Sequence, residues 1–388
     1  MQFKDLGFHK TFQKKLIENV LNKKIAHAQL FWGPSGNGKL SLALAYAQFL
    51  LCKKRETSEI DTVDSCGVCS SCQKVHTLTH PDLHIIFPVQ ASEGSSFVTS
   101  FDYMNEFRTF VTQYKGMVDV YSWLKYTSEV RKEEKKKLGI INTETIERLL
   151  EQLQITPAES NYKIIIIWLP EYIQYQAIPK LLKTLEEPFL NTIFLLVSED
   201  RDAILPTILS RLQQWYLPPL KINEIYDFLK QHFPSNTEEE ISHATYFGRN
   251  NGSKALEYLL NQDKWNFILD FFKSWMRATF KYNALKLQEL AFKFAELSRD
   301  QQKQLLIEAS LYISDCFRYK NKIPPYDILL HPEKEFFTKF SEFVTLHFYE
   351  TFVKETDKAL HDIERNGHPR LIFWTFSLKL VKAFSQKK

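Results

Sequence analysis

The stretch Gly33–Ser41, GPSGNGKLS, decides how the rest of the chain is read. A phosphate-binding loop has the form G-x-x-x-x-G-K-[S/T]. Its glycines let backbone N–H groups face the phosphates, its lysine reaches the outer phosphates, and its hydroxyl holds Mg²⁺. Gly33, Gly38 and Lys39 fill the fixed positions, with Pro34, Ser35, Gly36 and Asn37 between them, but Leu40 stands where the hydroxyl belongs. Ser41 is no simple substitute, because one residue along a helix turns a side chain by roughly 100°. The nine residues from Gly33 to Ser41 read as a nucleotide loop that has lost its metal ligand.

The surroundings support a loop of this kind. Ala26–Cys52, AHAQLFWGPSGNGKLSLALAYAQFLLC, reads as strand, glycine loop and helix, the setting the motif requires. Lys163–Leu169, KIIIIWL, is a β-branched run that predicts a second buried strand, and Thr192–Ser198, TIFLLVS, predicts a third. Between them YQAIPKLLKTLEEP has helical spacing and stops at Pro188. Strands alternating with helices predict an α/β fold on a parallel sheet. From about Pro218 the periodicity is helical throughout, and Asn250–Ser253, NNGS, marks a turn between two short helices. The segment Ala91–Gly139 is aromatic-rich and resists assignment; the charged run RKEEKKK within it reads as a solvated helix face or loop.

Composition bounds the rest. A chain of 388 residues accommodates two or three domains, and a formal charge of +4 is too small to imply nucleic-acid binding by itself. The N-terminus has charges throughout and no apolar core of a signal peptide. The longest apolar runs are too short to cross a membrane, so a cytoplasmic protein is expected. Four of five cysteines, Cys52, Cys66, Cys69 and Cys72, cluster in the spacing C-x13-C-x2-C-x2-C. In a reducing compartment this favours a metal over disulfides: tetrahedral zinc suits four thiolates, and an iron–sulfur cluster also accepts such spacing.

His27–Lys39, the four-cysteine insertion, LLKTLEEP and Leu205–Trp215, LPTILSRLQQW, together resemble the AAA+ subunits of the bacterial clamp loader of DNA polymerase III, over about Leu21–Leu217. The resemblance implies an AAA+ P-loop domain over 1–218 with a zinc module at 52–72 and the insertion at 91–139. It further implies a helical lid over 219–262 and an all-α collar domain over 263–388. It favours structural zinc as the metal on the four cysteines. Hydrolysing relatives end the second strand in Asp-Glu, where this chain has Trp168 and Leu169. Glu171 lies two residues beyond, past Pro170, and carries little weight as a replacement, while Ser198 matches the sensor position.

With Leu40, these losses imply a delta-prime-type subunit that does not hydrolyse ATP. ATP or ADP could still sit at Lys39 as a static element, or the loop could be kept for geometry alone. The resemblance also implies that Arg211, in Ser-Arg-Leu where relatives have Ser-Arg-Cys, acts in trans as an arginine finger on a neighbouring ATP site. The expected partners are a gamma/tau motor subunit, a delta subunit, the sliding clamp and, through the complex, primed DNA. The competing expectations are a working gamma/tau-type motor and, more weakly, a zinc-dependent nucleic-acid-binding module.

Overall fold

The computed structural model describes residues 1–55, 63–90, 98–131, 139–324 and 333–385. The described chain divides into two compact units, Met1–Glu257 and Tyr258–Lys388.

The first unit is built on a five-stranded, wholly parallel sheet. Its strands are β1 (Ala28–Trp32), β2 (Leu83–Ile86), β3 (Lys163–Trp168), β4 (Thr192–Ser198) and β5 (Gln213–Tyr216), in the order β2-β3-β4-β1-β5. Burial follows position in that order. Every residue of β3 and β4 is buried, because a parallel strand covered on both faces carries a continuous apolar run. The edge strand β5, QQWY, is mostly exposed. The two edge strands are the ones the periodicity did not announce: at four residues each they are short, and one of them is polar.

Helices α1 (Lys10–Leu21), α2 (Lys39–Leu51), α6 (Thr143–Leu153) and α7 (Ile178–Glu186) belong to this unit. All thirteen residues of α2 are buried, so its sequence, KLSLALAYAQFLL, is apolar nearly all round. Leu40, at 2% exposure, is a core residue of that helix. One strong amphipathic stripe, Ile146, Leu149 and Leu153 of α6, packs in the same cluster as Ile165, Ile167, Phe194 and Leu196 of the sheet.

Among the described residues of Ala91–Gly139, two α-helices form: α4 (Met104–Gln113) and α5 (Val120–Arg131). The last residues of the RKEEKKK run lie outside the described residues. The aromatic richness of the segment is explained by one cluster. Phe87 stacks on Phe107 at 3.9 Å, and Trp123 meets both edge-on at 5.2 Å. Phe107 in turn meets Trp168 of β3 at 5.7 Å, and the Trp123 Nε1–H donates to the Pro88 carbonyl at 2.8 Å. Trp168 is therefore a packing residue that joins the insertion to the sheet.

The remaining helices of the first unit are α3 (Ser70–His76), the short α8 (Pro206–Leu209), α9 (Ile222–His232) and α10 (Glu238–Gly248), followed by α11 (Gly252–Leu260), in which the unit ends. The turn expected at NNGS joins α10 to α11. The second unit is all helical among its described residues: α12 (Gln262–Phe280), α13 (Ala284–Glu296), α14 (Arg299–Lys320), α15 (Lys334–Ser341), α16 (Leu346–Glu364) and α17 (Pro369–Ser385). Trp275 sits at its centre, within 4.7 and 5.1 Å of Phe373 and Phe376, and donates to the Ser377 hydroxyl at 2.9 Å. No described helix is long and apolar enough to cross a membrane.

Phe107 has 0% exposure and touches three other aromatic rings. Phe107→Ala is therefore expected to lower stability by about 3–5 kcal/mol in urea unfolding followed by tryptophan fluorescence. A loss below about 1 kcal/mol would mean that the aromatic cluster does not anchor the insertion.

Candidate functional site

The C-terminal ends of parallel strands, where the order of connection reverses, are where such folds bind ligands. Here Gly33–Gly38 follows β1, Leu169–Glu171 follows β3, and Ser198 ends β4 with Glu199 directly after it. Gly36 and Gly38 have φ of 68° and 80°, a left-handed backbone that favours glycine. Packing adds to this requirement: a Cβ on Gly38 would lie 2.5 Å from the Phe8 ring, and one on Gly36 would collide with the Asn251 side chain.

Lys39 is only 5% exposed, and its ammonium is tied to its own loop. Nζ donates to the Gly33 carbonyl at 2.9 Å, the Pro34 carbonyl at 2.6 Å and Asn37 Oδ1 at 3.0 Å. Asn37 in turn donates through Nδ2 to the Leu217 carbonyl at 2.7 Å, and its own carbonyl accepts from His9 Nε2 at 2.9 Å. Burial pulls the Lys39 ammonium down to about 8, against the opposing pull of Glu199, Glu171 and Asp119. Burial likewise pushes the Glu199 carboxyl up to about 7, against Lys39, while Ser35 Oγ donates to it at 3.0 Å. One cation thus faces three acidic side chains at the place where a phosphate loop needs positive potential.

Two further segments meet the loop. The Gly252 N–H donates to the Gly36 carbonyl at 2.7 Å, and the Ser41 hydroxyl donates to the Lys115 carbonyl at 3.0 Å. Ser253 donates to Asp119, so the α10–α11 turn and the segment before α5 are linked to each other as well. Ser41 therefore serves the insertion, and Leu40 serves the core. The strand end that carries acids in hydrolysing proteins is apolar here: Trp168 and Leu169 are 1% and 0% exposed. Glu171 turns back, accepting from the N–H groups of Glu199 and Asp200 at 2.8 and 3.2 Å. Burial raises its carboxyl above the ordinary range, and Ser198 lies buried beside it.

Sequence reasoning singled out Ser198 but missed Glu199, Asp119 and Asn251. Glu199 had a usable signal, since it directly follows the last residue of a buried parallel strand. Asp119 and Asn251 had none, because only the fold brings 115–119 and 250–253 to the loop.

Arg211 follows α8 and is partly exposed. Its guanidinium bonds the Thr207 carbonyl and pairs with Glu186 at the end of α7. An ion pair this exposed to solvent holds weakly, so the guanidinium is available to a competing anion.

The four cysteines come together. Cys52 caps the C-terminus of α2, Cys66 precedes α3, Cys69 caps its N-terminus, and Cys72 lies within it. Their sulfurs all lie within 4.8 Å of one another, with Cys52–Cys66 at 3.7 Å and Cys66–Cys72 at 4.0 Å. Zn–S bonds of about 2.3 Å in a tetrahedron place sulfurs about 3.8 Å apart, so one ion of this size fits the cluster. A multi-iron cluster would spread the sulfurs farther. Burial opposes ionisation of Cys69, but the N–H groups of Cys72 and Lys53 outweigh it and hold the thiol at about 6. Burial keeps Cys52 and Cys72 high, so a metal must displace their protons. Among the described residues no histidine joins the group. His80 bonds Ser71 Oγ at 2.9 Å and accepts from the Asp82 N–H at 3.1 Å, and His76 faces the N-terminal amine.

Full-length protein is expected to carry one zinc ion per chain by elemental analysis. Cys69→Ser should reduce that stoichiometry and lower the melting temperature, because metal binding here is also folding energy. Metal-free protein of unchanged melting temperature would reject a structural metal, and iron with visible absorbance would reject zinc.

With this geometry in view, the comparisons with known proteins are specific. Residues 8–221 match the family described as "DNA polymerase III, delta subunit". The chain is 26% identical over 251 residues to DNA polymerase III subunit delta' of Bacillus subtilis (strain 168), covering 64% of this chain and 59% of that protein. It is 26% identical over 216 residues to subunit delta' of Pseudomonas aeruginosa, covering 56% and 50%. It is 21% identical over 410 aligned positions to subunit tau of Bacillus subtilis (strain 168), covering 99% and 62%. The chain thus spans about half to three-fifths of the length of these relatives. The glycine loop, the parallel sheet and α1–α8 all fall within or across the matched residues, and the chain belongs to the DNA polymerase III delta subunit family.

Proposed function

We propose that this chain is a delta-prime-like AAA+ subunit of a DNA polymerase III clamp loader, one that does not hydrolyse ATP and lends Arg211 to a neighbour. The observation that carries this reading is the buried, apolar strand end at Trp168 and Leu169, supported by Leu40 in the core. A Mg²⁺ ion needs oxygen ligands, and an attacking water needs a residue to orient it. Three side chains that supply neither occupy those positions.

In this reading the helices over 219–262 form a lid and those over 263–388 a collar. The partners are a gamma/tau-type motor, a delta subunit and the sliding clamp, which the assembly places on primed DNA. Zinc holds Cys52, Cys66, Cys69 and Cys72 as a structural clip: four thiolates leave no open position for catalysis. Arg211 leaves Glu186 when the neighbour's nucleotide approaches, because a polyphosphate offers the planar guanidinium stronger, bidentate acceptors than one exposed carboxylate.

A second reading is the ATP-hydrolysing gamma/tau-type motor. The extent of alignment favours it: the tau match runs along 99% of this chain, against 64% for the first delta' relative. Catalysis separates the two. Purified full-length chain with Mg-ATP is expected to show no turnover above background; turnover abolished by Lys39→Ala would establish the motor reading instead.

The arginine role has its own test, in a complex reconstituted with motor and delta subunits. Arg211→Ala should leave gel-filtration behaviour unchanged and lower clamp-stimulated ATPase, with the affected site losing about 10³-fold or more. Arg211→Lys should rescue poorly, since an ammonium lacks the planar fork. Unchanged ATPase in an intact Arg211→Ala complex would leave the arginine without a catalytic role.

A further inference from the structure

Away from the glycine loop, a cavity of about 470 Å³ opens beside the edge strand β2. Its walls come from β2, the loop that precedes it, the turn and helix at 100–113, and α6. That volume falls in the range that holds small-molecule ligands. Its polar lining is rich in donors, and several of those donors are unused.

Arg148, from α6, projects from a helix whose other face fills the core. Its guanidinium lies over the Phe101 ring at 4.6 Å, and among the described residues it has no hydrogen-bonded or ion-paired acceptor. Arg108, from α4, is anchored at one edge only: Nε donates to the Leu78 carbonyl at 3.0 Å and Nη1 to Asn105 Oδ1 at 3.2 Å. Among the described residues its Nη2 has no acceptor. His84, in β2, has a buried Nε2 with no hydrogen-bond partner, although such atoms are nearly always paired. Burial and the nearby Lys163 charge hold the His84 ring below its ordinary range, against a hydrogen bond with the Gln152 side chain in the same lining, so it is a neutral imidazole.

The other charged groups facing the cavity do not cancel this arrangement. His80 has both ring nitrogens engaged. Asp102 is the one carboxylate in the lining, and it accepts from the Thr99 N–H and hydroxyl at 2.8 and 2.7 Å. Both bonds reach Oδ2. Against burial, the Thr99 bonds with the charges of Arg148 and Arg131 hold the carboxyl below its ordinary range. Asp102 thus offsets part of the charge of the two lining guanidinium groups, and the cavity keeps a positive excess.

We propose that this cavity is a binding site for a phosphate group, held by Arg148, the open edge of Arg108 and His84 Nε2. Phosphate is favoured over carboxylate because the donors arise from three separate elements and approach from different directions. A tetrahedral oxyanion can satisfy all of them, whereas a planar carboxylate is met best by one fork. The space exceeds a bare phosphate, so the group comes attached to a larger body. The same chemistry is offered by a free phosphate ester and by a nucleic-acid backbone.

The test uses the full-length chain with three probes: pyrophosphate, a nucleoside monophosphate and a short single-stranded oligonucleotide. Binding is read by calorimetry and by the ¹⁵N shift of the His84 ring. Saturable binding that moves the His84 Nε2 signal is expected, weakened about tenfold or more by Arg148→Gln or Arg108→Gln, as befits a lost charge-assisted hydrogen bond. Tight nucleoside monophosphate and weak oligonucleotide binding identifies a free phosphate ester as the source; the reverse order identifies a backbone. No saturable binding of any probe overturns the site, and so does binding that leaves the His84 signal unmoved. Binding indifferent to both arginine substitutions overturns it too, since the phosphate would then sit elsewhere, as at the glycine loop. If a substituted chain melts earlier than the parent, the His84 shift in the unsubstituted protein decides alone.

Discussion

The ammonium of Lys39 is the constraint around which the first unit is arranged. A buried cation must be matched by acceptors or lose its proton. Here three oxygens of the loop Gly33–Asn37 match it from within. Holding those carbonyls in place requires Asn37 to be fixed, which Leu217 and His9 accomplish. The loop is thereby tied to the chain on both sides of the sheet's first strand. In a nucleotide-bound loop the lysine reaches the phosphates; here its three bonds go to the loop itself. Glu199, Glu171 and Asp119 lie close enough to act on the same ammonium.

At the positions where hydrolysing proteins carry metal-binding or water-orienting groups, this chain carries packing residues. Leu40 exchanges a metal-binding hydroxyl for a place in a helix buried on every side. Trp168 exchanges a carboxylate for contact with Phe107, and so joins an inserted helical pair to the central strand. The Ser41 hydroxyl bonds the backbone of that insertion at Lys115. An acid placed at Trp168 or Leu169 would therefore enter a site filled by apolar neighbours.

Much of this was legible in the sequence, for physical reasons that differ by element. β1, β3 and β4 are central and buried on both faces, so their apolar runs announce them. β2 and β5 lie at the edges, where four residues suffice and side chains can be polar, and no periodicity betrays them. The cysteine ligands were legible because chemistry fixes both residue type and spacing. The helices of the insertion carried a faint signal in Phe107, Phe110 and Val111, spaced for one helical face, that the surrounding aromatics obscured. The pairing of Arg211 with Glu186, the meeting of Asn251 with Gly36, and the cavity shared by His84, Arg108 and Arg148 were not legible. Each depends on residues far apart in the chain that only the sheet order brings together.

The glycine loop holds its own lysine, and we propose that it serves as a structural element. Equilibrium titration of the full-length protein with a fluorescent ATP analogue, with and without Mg²⁺, tests it most directly. A self-satisfied Lys39 flanked by three acidic side chains gives no saturable binding that depends on Lys39, and magnesium makes no difference. Saturable binding strengthened by Mg²⁺ and lost in Lys39→Ala would contradict it, and would mean that the lysine leaves its own loop for a phosphate.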